Sequence, residues 1–344
     1  MKFDFVIGNP PYQDETIGDN TKNPPVYNNF MDEAFRIADK VEMIHPARFL
    51  FNAGDTPKSW NRERLQDSHF KVLEYQEDCK QIFANTDIKG GIAITYRDAN
   101  QKFGAIDFFA PQKEVNEIIK KINQYLDDSN LSDIAYASTS YSFSSKMHED
   151  DPTLKDKFSN GHQYDVDSNA FDRLNGTVIY DDKPGDEFEY IRLYGRYNNQ
   201  RIYKWIRRDY IKPHPNLDKW KAIVPKSNGS GKFGEVLSLP EVKGPGIGLT
   251  RTFMSFGAFD SESEANNVLC YLKTKFLRAL LSAKKITQDN PISVWDKIPL
   301  QDFTSSSDID WSKSIANIDK QLYKKYNLSD EEINFIETNV KEME

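Results

Sequence analysis

Four consecutive residues early in the sequence, Asn9, Pro10, Pro11 and Tyr12, could together act on a planar amine. They follow the short apolar run FDFVI, which stops at Gly8 as a buried strand stops at a turn. The asparagine side-chain oxygen and a backbone carbonyl fixed by proline can each accept a hydrogen bond from the amine. The adjacent aromatic ring can stack on the base that carries it. Such an arrangement favours transfer of an electrophilic methyl group to the nitrogen.

A simpler interpretation of these four residues is a Pro-Pro turn in which Asn9 satisfies its own backbone. The position directly after a strand favours the chemical interpretation, because side chains at strand ends are available to ligands. His45, which precedes a proline, and His214, which lies between two prolines, are predicted to be structural. Transfer to a positioned amine needs no base that titrates near neutrality.

The elements that position this motif form a predicted α/β domain over residues 1–126. FDFVI, VEMIHPARFL and KVLEY (71–75) read as strands, and an apolar stripe from Tyr27 to Ala38 predicts a helix that covers a sheet. The runs at 91–98 and 104–110 predict an antiparallel hairpin. FDFVI is apolar on both faces, as is typical of a strand with neighbours on each side in a parallel sheet, but this chain supplies a neighbour on one side only.

Residues 127–189 are rich in Asp, Ser, Asn and Gly, which predicts a linker with long loops. A second domain is predicted over residues 190–344, with a helical carboxyl-terminal part. The pairs Ser261 and Glu264, and Ser329 and Glu332, have the spacing of capping boxes at helix starts.

Several segments resemble the adenine-N6 DNA methyltransferases of bacterial restriction-modification systems. DFVIGNPPYQ resembles their catalytic motif IV, the helix with Tyr27 and Phe30 their motif V, MIHPARFLFNAG their motif VI, and DCKQIFANTDIKGGIAITYRD their motif VIII region. Later stretches, including FGAFDSESEANNVLCYLKTKFLRALLSAKKITQDN, WDKIPLQDF and IDKQLYKKYNLSDEEINFIE, are similar to the recognition region of the branch that combines restriction and modification.

This resemblance implies a partial Rossmann-like methyltransferase sheet, the catalytic half, followed by a mixed α+β target-recognition domain. It implies S-adenosylmethionine as methyl donor and an adenine flipped out of double-stranded DNA as acceptor. Asn9 and Pro10 would hold the amine, and Tyr12 and Phe83 would sandwich the base. Asn9 and Pro11 would also face the cofactor.

The sequence departs from the family pattern at the cofactor half. In this branch three strands of the cofactor half precede motif IV. The first has an F-x-G-x-G loop, and the other two carry acidic residues. We therefore expect a partner polypeptide to supply that half, or a shortened product with a blunted sheet edge. The segment from Gly229 to Gly234 has the form G-x-G-x-x-G, but the run before it is short and interrupted by Pro225, so we expect a recognition-domain loop there.

A local basic segment, residues 192–232, contains eleven Lys and Arg and two Asp, a net charge of +9 in a chain of net charge −8. Aromatic residues are interleaved with these cations, which favours a DNA surface over a solvated face. The predicted DNA contacts are Arg196, Arg201, Lys204, Trp205, Arg207, Arg208 and Lys226. Asn198, Asn199 and Gln200 are of the types that read base edges, although the sequence does not show which residues do so.

The composition excludes several classes of protein. The 344 residues contain only two cysteines, Cys79 and Cys270, without C-x-x-C spacing or a nearby His pair, which excludes zinc modules and disulfide scaffolds. No apolar run approaches the roughly 20 residues of a membrane span, and the start lacks signal-peptide character. We therefore expect a cytoplasmic protein with no membrane partner and no metal.

Two rival functions remain open. The first is a non-catalytic DNA-binding or partner subunit that keeps the motif but lacks the cofactor half, which cofactor binding would test. The second is a methyltransferase for protein glutamine or RNA, since the same four residues can serve any planar amide or amine. The recognition sequence, a linked endonuclease, the natural start and the oligomeric state are not encoded in any pattern that we can read.

Overall fold

The computed structural model describes residues 3–14, 23–51, 54–84, 88, 90–126, 129–229, 231–285 and 288–343. The chain divides into two compact units, residues 1–116 (unit 1) and residues 117–344 (unit 2). The division falls inside a helix, α3 (Lys113–Leu126). We describe each unit by itself.

Unit 1 is a four-stranded sheet with helices. Its elements are β1 (Phe3–Gly8), α1 (Tyr27–Ile37), β2 (Ala38–Pro46), α2 (Lys58–Gln66), β3 (Phe70–Gln76) and β4 (Ile92–Asp98), with 3-10 turns at Arg48–Phe51 and Cys79–Gln81. The strand order is β1-β2-β4-β3. Strand β1 is parallel to β2, whereas β4 is antiparallel to both β2 and β3. The sheet is therefore mixed.

One face of this sheet forms the core of unit 1. Met31 and Ala34 of α1 are buried with Val41 and Met43 of β2 and with Trp60 of α2. The apolar stripe predicted for α1 therefore covers a sheet, although Phe30, at its border, is 47% exposed. The burial of this face fixes the register of β2, since a shift by one residue would turn its apolar side chains to solvent.

One prediction for unit 1 is wrong. Residues 104–110 form no strand, so β4 has no hairpin partner there and pairs with β2 and β3 instead. FDFVI forms β1 as predicted, and among the described residues it has a neighbour on one side only, as expected. Phe3, Phe5 and Ile7 alternate along β1 onto one face and are 48%, 45% and 71% exposed. The sheet is thus covered on one face and exposes apolar side chains on the other.

Unit 2 contains two four-stranded sheets. One has the order β11-β7-β8-β6 and the other β10-β9-β12-β5. The strands are β5 (Ala135–Tyr136), β6 (Ile179–Tyr180), β7 (Tyr190–Tyr197), β8 (Gln200–Arg207), β9 (Trp220–Pro225), β10 (Glu241–Lys243), β11 (Ile247–Leu249) and β12 (Phe253–Phe259). The helices after α3 are α4 (Ser145–Asp150), α5 (Ala170–Leu174), α6 (Glu262–Lys273), α7 (Lys275–Lys284), α8 (Ile315–Lys325) and α9 (Asp330–Asn339).

Residues 129–189 belong to the core of unit 2, so the predicted linker over 127–189 is wrong. Phe143, Met147 and Phe171 are fully buried together with Leu193 and Ile206 of the β7–β8 hairpin. The segment is polar in average composition, but most of its apolar side chains between residues 141 and 179 are spaced so that they reach one core, whereas Tyr164 and Phe188 are exposed. Residues 127 and 128 themselves lie outside the described residues.

Both predicted caps begin helices. The Ser329 hydroxyl accepts from the Glu332 backbone N–H, and the Glu332 carboxylate accepts in return from the Ser329 N–H at 2.7 Å, which completes a capping box on α9. Ser261 caps α6 through the Glu264 N–H at 3.2 Å. None of the described helices has the length and apolar character needed to cross a membrane.

Candidate active site

The predicted motif lies at the end of the sheet formed by the carboxyl ends of β1 and β2. Gly8, the last residue of β1, pairs with Met43, and β2 continues to Pro46. Because the two strands are parallel, the chain leaves both at the same edge. This places Asn9 and the residues after Pro46 on one side of the sheet, where ligands of open α/β sheets bind.

Local contacts hold the motif in place. Asn9 and Pro11 are exposed, whereas Pro10 is buried. The carbonyl oxygen of Tyr12 accepts a hydrogen bond from the Val26 N–H at 3.2 Å. The following residues continue this pairing, since the Asp14 N–H donates to the carbonyl of Pro24 at 3.0 Å. The motif is therefore anchored just before α1 while the Asn9 side chain stays accessible.

Tyr12 and Phe83 both lie beside Cys79. The Phe83 N–H donates to the Cys79 carbonyl at 2.8 Å. Burial, with a smaller contribution from Cys79, raises the pKa of Tyr12. The Tyr12 hydroxyl is buried and has no hydrogen-bond partner among the described residues. Cys79 thus interacts with both predicted stacking residues, by a hydrogen bond with Phe83 and electrostatically with Tyr12, and among the described residues the two rings make no contact with each other.

A cavity of about 420 Å³ opens next to Tyr12 at this edge. Besides Tyr12 its lining includes Pro25, Tyr27, Arg48, Asp55 and Thr56. Burial raises the pKa of Tyr27 to about 12, so its hydroxyl stays protonated at neutral pH. The Thr56 hydroxyl donates to Asn61 at 2.7 Å. The cavity therefore combines aromatic walls with one cation and one carboxylate, which suits a polar aromatic ligand.

The sequence predictions did not include Arg48, Asp55 or Tyr27 as site residues. Arg48 follows the end of β2, so the rule that ligands bind where parallel strands end could have identified it. Tyr27 was assigned to the apolar stripe of α1 and to the helix that resembles motif V, without a role in the site. Asp55 lies in a loop, and no pattern in the sequence marks it.

Both predicted structural histidines occupy structural positions. His45 is fully buried on β2, where its Nε2 contacts the Thr95 hydroxyl at 2.7 Å and its ring stacks on Tyr27 at 5.7 Å. Burial lowers the pKa of His45 to about 4. His214 stacks on Tyr141 at 4.0 Å, and burial lowers its pKa to about 4 as well. Both imidazoles are neutral at pH 7.

The glycine-rich segment of unit 2 has its own internal partners. The Gly234 N–H donates to the Ser282 hydroxyl at 3.0 Å and the Gly231 N–H donates to Glu235 at 3.2 Å. A Cβ atom on Gly234 would lie 2.1 Å from the Asn339 carbonyl oxygen, so this glycine permits close approach to α9. The next element is strand β10, not a helix. These amides hold the fold together, as expected of a recognition-domain loop.

The basic segment is more internally paired than its composition suggests. Arg207 and Arg208 form ion pairs with Asp150 and Asp218, respectively. Arg201 pairs with Glu241 and donates to two backbone carbonyls. These arginines remain predicted DNA contacts. Each would have to bind a phosphate beside its carboxylate partner or give up that ion pair for the phosphate.

Lys204 must be reassigned. Its side chain is 1% exposed and its ammonium group donates to Asp181 and to Asn175, so phosphate cannot reach it. In β8 it points to the core face, opposite its neighbours Tyr203 and Trp205. Lys204 is therefore a buried structural lysine, and its prediction as a DNA contact is wrong.

Other cations of unit 2 are accessible. Arg192 and Arg196 are exposed on β7, and Lys226 is exposed after β9. Arg192 lies 4.9 Å from the ring of Tyr203 and 5.9 Å from that of Trp205. Within the described residues none of these three cations forms an ion pair. This cation-aromatic face of the β7–β8 hairpin is the accessible part of the predicted DNA surface.

The amino-terminal part is similar to a known family. Residues 1–83 match the Eco57I restriction-modification methylase family. The resemblance to restriction-modification methylases is confirmed. An uncharacterized adenine-specific methylase of Mycoplasma pneumoniae is 30% identical over 95 residues, which are 27% of this chain and 22% of that protein. The match to the methylase family includes Asn9 to Tyr12, Arg48 and Phe83.

Solved restriction-modification enzymes give only distant superpositions. The type IIL enzyme MmeI, solved in complex with DNA, has 9% identity and a TM-score of 0.35, covering 98% of this chain and 56% of that one. The type IIG restriction endonuclease BpuSI has 9% identity and a TM-score of 0.30, covering 86% and 44%. At these scores the superpositions carry no argument about this chain.

Proposed function

We propose that this chain is the catalytic and target-recognition part of a site-specific DNA adenine-N6 methyltransferase in a restriction-modification system. The observation that carries the proposal is Asn9, exposed at the carboxyl end of β1 and three residues before Tyr12, which lines a cavity. The family match over residues 1–83 supports it. A cytoplasmic location, expected from the sequence, is part of the same proposal.

Each motif residue has a defined task in this proposal. The Asn9 side-chain oxygen and the Pro10 carbonyl accept the two hydrogens of the adenine amine, so that its lone pair points toward the methyl donor. The buried Pro10 ring keeps this carbonyl fixed. Tyr12 and Phe83 stack on the two faces of the flipped base. S-adenosylmethionine, when bound, supplies the electrophilic methyl group.

Part of the cofactor site fits the described residues and part does not. Asn9 and Pro11 are exposed at the strand end, where they would face the donor. In the described part of the glycine-rich segment of unit 2, the amides of Gly231 and Gly234 have internal partners, so these two donors are not available to a cofactor. We propose that a further α/β polypeptide segment with the F-x-G-x-G strand packs against β1. The exposed side chains of Phe3, Phe5 and Ile7 support this, because an apolar sheet face normally packs under helices.

The cofactor proposal predicts that residues 1–344 alone bind S-adenosylmethionine weakly, with no heat signal at micromolar concentrations. A polypeptide with the F-x-G-x-G strand should restore micromolar binding. The double substitution Phe5→Glu and Ile7→Glu should abolish that restoration, because it places charges in the proposed contact. Charge substitution of exposed Glu33 and Arg36 on α1 is the control, with restoration unchanged. Micromolar binding by the wild-type chain alone would contradict this part.

Transfer of a radiolabelled methyl group to DNA, RNA and protein tests the proposed function as a whole. We expect label in DNA adenine only, once the cofactor half is present. Label in protein or RNA would favour the rival methyltransferases. Micromolar cofactor binding without transfer to any acceptor would favour the non-catalytic rival.

Tyr12 is predicted to act through its ring and not through its hydroxyl. Tyr12→Ala should lower the affinity for a flipped base about 5-fold to 150-fold, because one stacked base is worth about 1–3 kcal/mol. Tyr12→Phe should change it less than twofold, since the hydroxyl has no partner among the described residues. Fluorescence of 2-aminopurine placed at the target position reports base capture. Equal losses in both variants would show that the ring is not the contact.

DNA affinity is predicted to fall steeply with salt through the accessible cations. We expect a smaller slope of log affinity against log salt in each of three variants, Arg192→Gln, Arg196→Gln and Lys226→Gln. The slope should fall by about 0.9 for every phosphate that the replaced side chain no longer neutralises. Arg208→Gln is the matched control, and we expect a smaller change because its charge is already paired with Asp218. Fluorescence anisotropy at several salt concentrations measures the slopes. Unchanged slopes in the first three variants would assign the segment to a solvated face.

A further inference from the structure

The Arg48 side chain is held along its stem, while its charged end has no partner among the described residues. Gly54 and Gly90 flank this side chain, and both have positive φ angles, of 83° and 88°. A Cβ atom on Gly90 would lie 2.5 Å from the Arg48 Cγ atom, and one on Gly54 would lie 3.2 Å from its Cβ. Two residues without side chains therefore make room for this arginine.

The charge of Arg48 is available to an external anion. Within the described residues Arg48 forms no ion pair and no hydrogen bond, although it is exposed and lines the cavity beside Tyr12. Asp55, the carboxylate in the same lining, does not pair with it in that part of the chain either. Two other arginines of unit 1 differ in this respect, since Arg97 pairs with Asp67 and Arg36 with Glu33. A fixed stem with an unpaired guanidinium is suited to recognising an anion.

We propose that Arg48 binds a backbone phosphate of the target nucleotide while its base occupies the cavity next to Tyr12. This proposal rests on the proposed function, which places the flipped adenine at Asn9 and Tyr12. A base that stacks on Tyr12 carries its sugar and phosphates outward, and the exposed guanidinium lies at the rim of the same cavity. The guanidinium can form two parallel hydrogen bonds to a phosphate. Arg48 is thus a positioning residue for the acceptor.

The cofactor carboxylate is the other anion that a methyltransferase site binds. The cavity that Arg48 lines is on the side of Tyr12, which stacks on the acceptor base in the proposed function. A phosphate of the acceptor is therefore the favoured partner. Asp55 should oppose the same ligand, because it places a negative charge in the cavity lining.

Binding of small probes to the full chain tests the proposal without a known recognition sequence. The probes are 2-aminopurine deoxyriboside and its 3′,5′-bisphosphate, followed by their fluorescence. We expect the wild-type chain to bind the bisphosphate about tenfold more tightly than the nucleoside. Arg48→Met, which keeps the length of the stem, should remove most of this preference and leave nucleoside binding unchanged. Arg48→Lys should restore part of it, and Asp55→Asn should increase it.

A matched control and the contrary outcomes complete the design. Arg62→Met removes an exposed charge on α2 outside the cavity lining and should leave the preference unchanged. Equal affinity of the wild-type chain for both probes, or an unchanged preference in Arg48→Met, would overturn the phosphate proposal alone. So would a loss confined to S-adenosylhomocysteine binding, measured in the assembly that contains the cofactor half, which would assign Arg48 to the cofactor. Binding of neither probe would overturn the proposed base cavity as well.

Discussion

Replacing Asn9 by alanine is expected to lower the rate of methyl transfer by about two to three orders of magnitude. The substitution removes an acceptor that strengthens as the amine becomes more positive in the transition state, and such groups are worth about 2.7–4 kcal/mol. Because Asn9 contacts the transferring nitrogen and faces the donor in the proposed function, and is given no contact with the DNA backbone, DNA affinity should change little. Single-turnover transfer to DNA, in an assembly that contains the cofactor half, measures this loss.

The matched control for Asn9 is Asn100→Ala. Asn100 is exposed in the turn after β4, and its hydrogen bond to Asp98 is made by its backbone N–H, so turnover should stay near the wild-type value. Near-normal turnover in the Asn9 variant would end its assignment as a catalytic residue. A comparable fall in DNA affinity would instead indicate a binding role.

Acid is expected to weaken unit 1 through His45. Burial lowers the pKa of His45 from 6.5 to about 4, so between these two pH values the unfolded chain takes up a proton that the folded unit excludes. Above pH 6.5 His45 does not lower the free energy of unfolding. As the pH falls from 6.5 to about 4, the loss of unfolding free energy grows to roughly 3 kcal/mol. Urea unfolding of the full chain, monitored by fluorescence of Trp60 in unit 1 with the other tryptophans replaced, measures it.

The His45→Asn variant should show a shallower pH dependence over this window, whatever its stability at pH 7. His69→Gln, also in unit 1, is the control, because His69 is only partly buried and is not enclosed by the core. The comparison uses the difference between each variant and the wild type, which cancels the carboxylates that titrate over the same range. A His45 variant as sensitive to acid as the wild-type chain would refute the prediction.

The sequence was most informative where periodicity or local geometry decides the structure. The apolar stripe of α1 and the abrupt stop of β1 at Gly8 depend on neighbouring residues, and both were predicted. The open side of β1 was also predicted, from the cofactor half that is missing from the motif order, and among the described residues β1 pairs with β2 alone. The second run of the expected hairpin, residues 104–110, is apolar enough for a strand. It cannot pair with β4, because β4 is already paired with β2 and β3.

The candidate site shows the same limit. Asn9 to Tyr12 form a continuous motif and were identified directly, whereas the cavity also needs Arg48 and Asp55. The glycine that makes room for Arg48 is Gly90, which is distant in sequence. Charge pairing in unit 2 was hidden for a similar reason, because Lys204 meets Asp181 and Arg201 meets Glu241 only after folding. Net charge along a segment does not show which charges are neutralised.

The shared core of unit 2 determines how this chain could be recombined with a relative. Phe143, Met147 and Phe171 are buried with the strands of the β7–β8 hairpin, so a chimera joined near residue 190 would cut one core into two incompatible halves. A junction just before α3, within residues 110–112, crosses no strand or helix and leaves Phe109 in the core of unit 1. With this junction the whole of unit 2 is exchanged intact. The chimera should then have the DNA sequence preference of the protein that supplied unit 2.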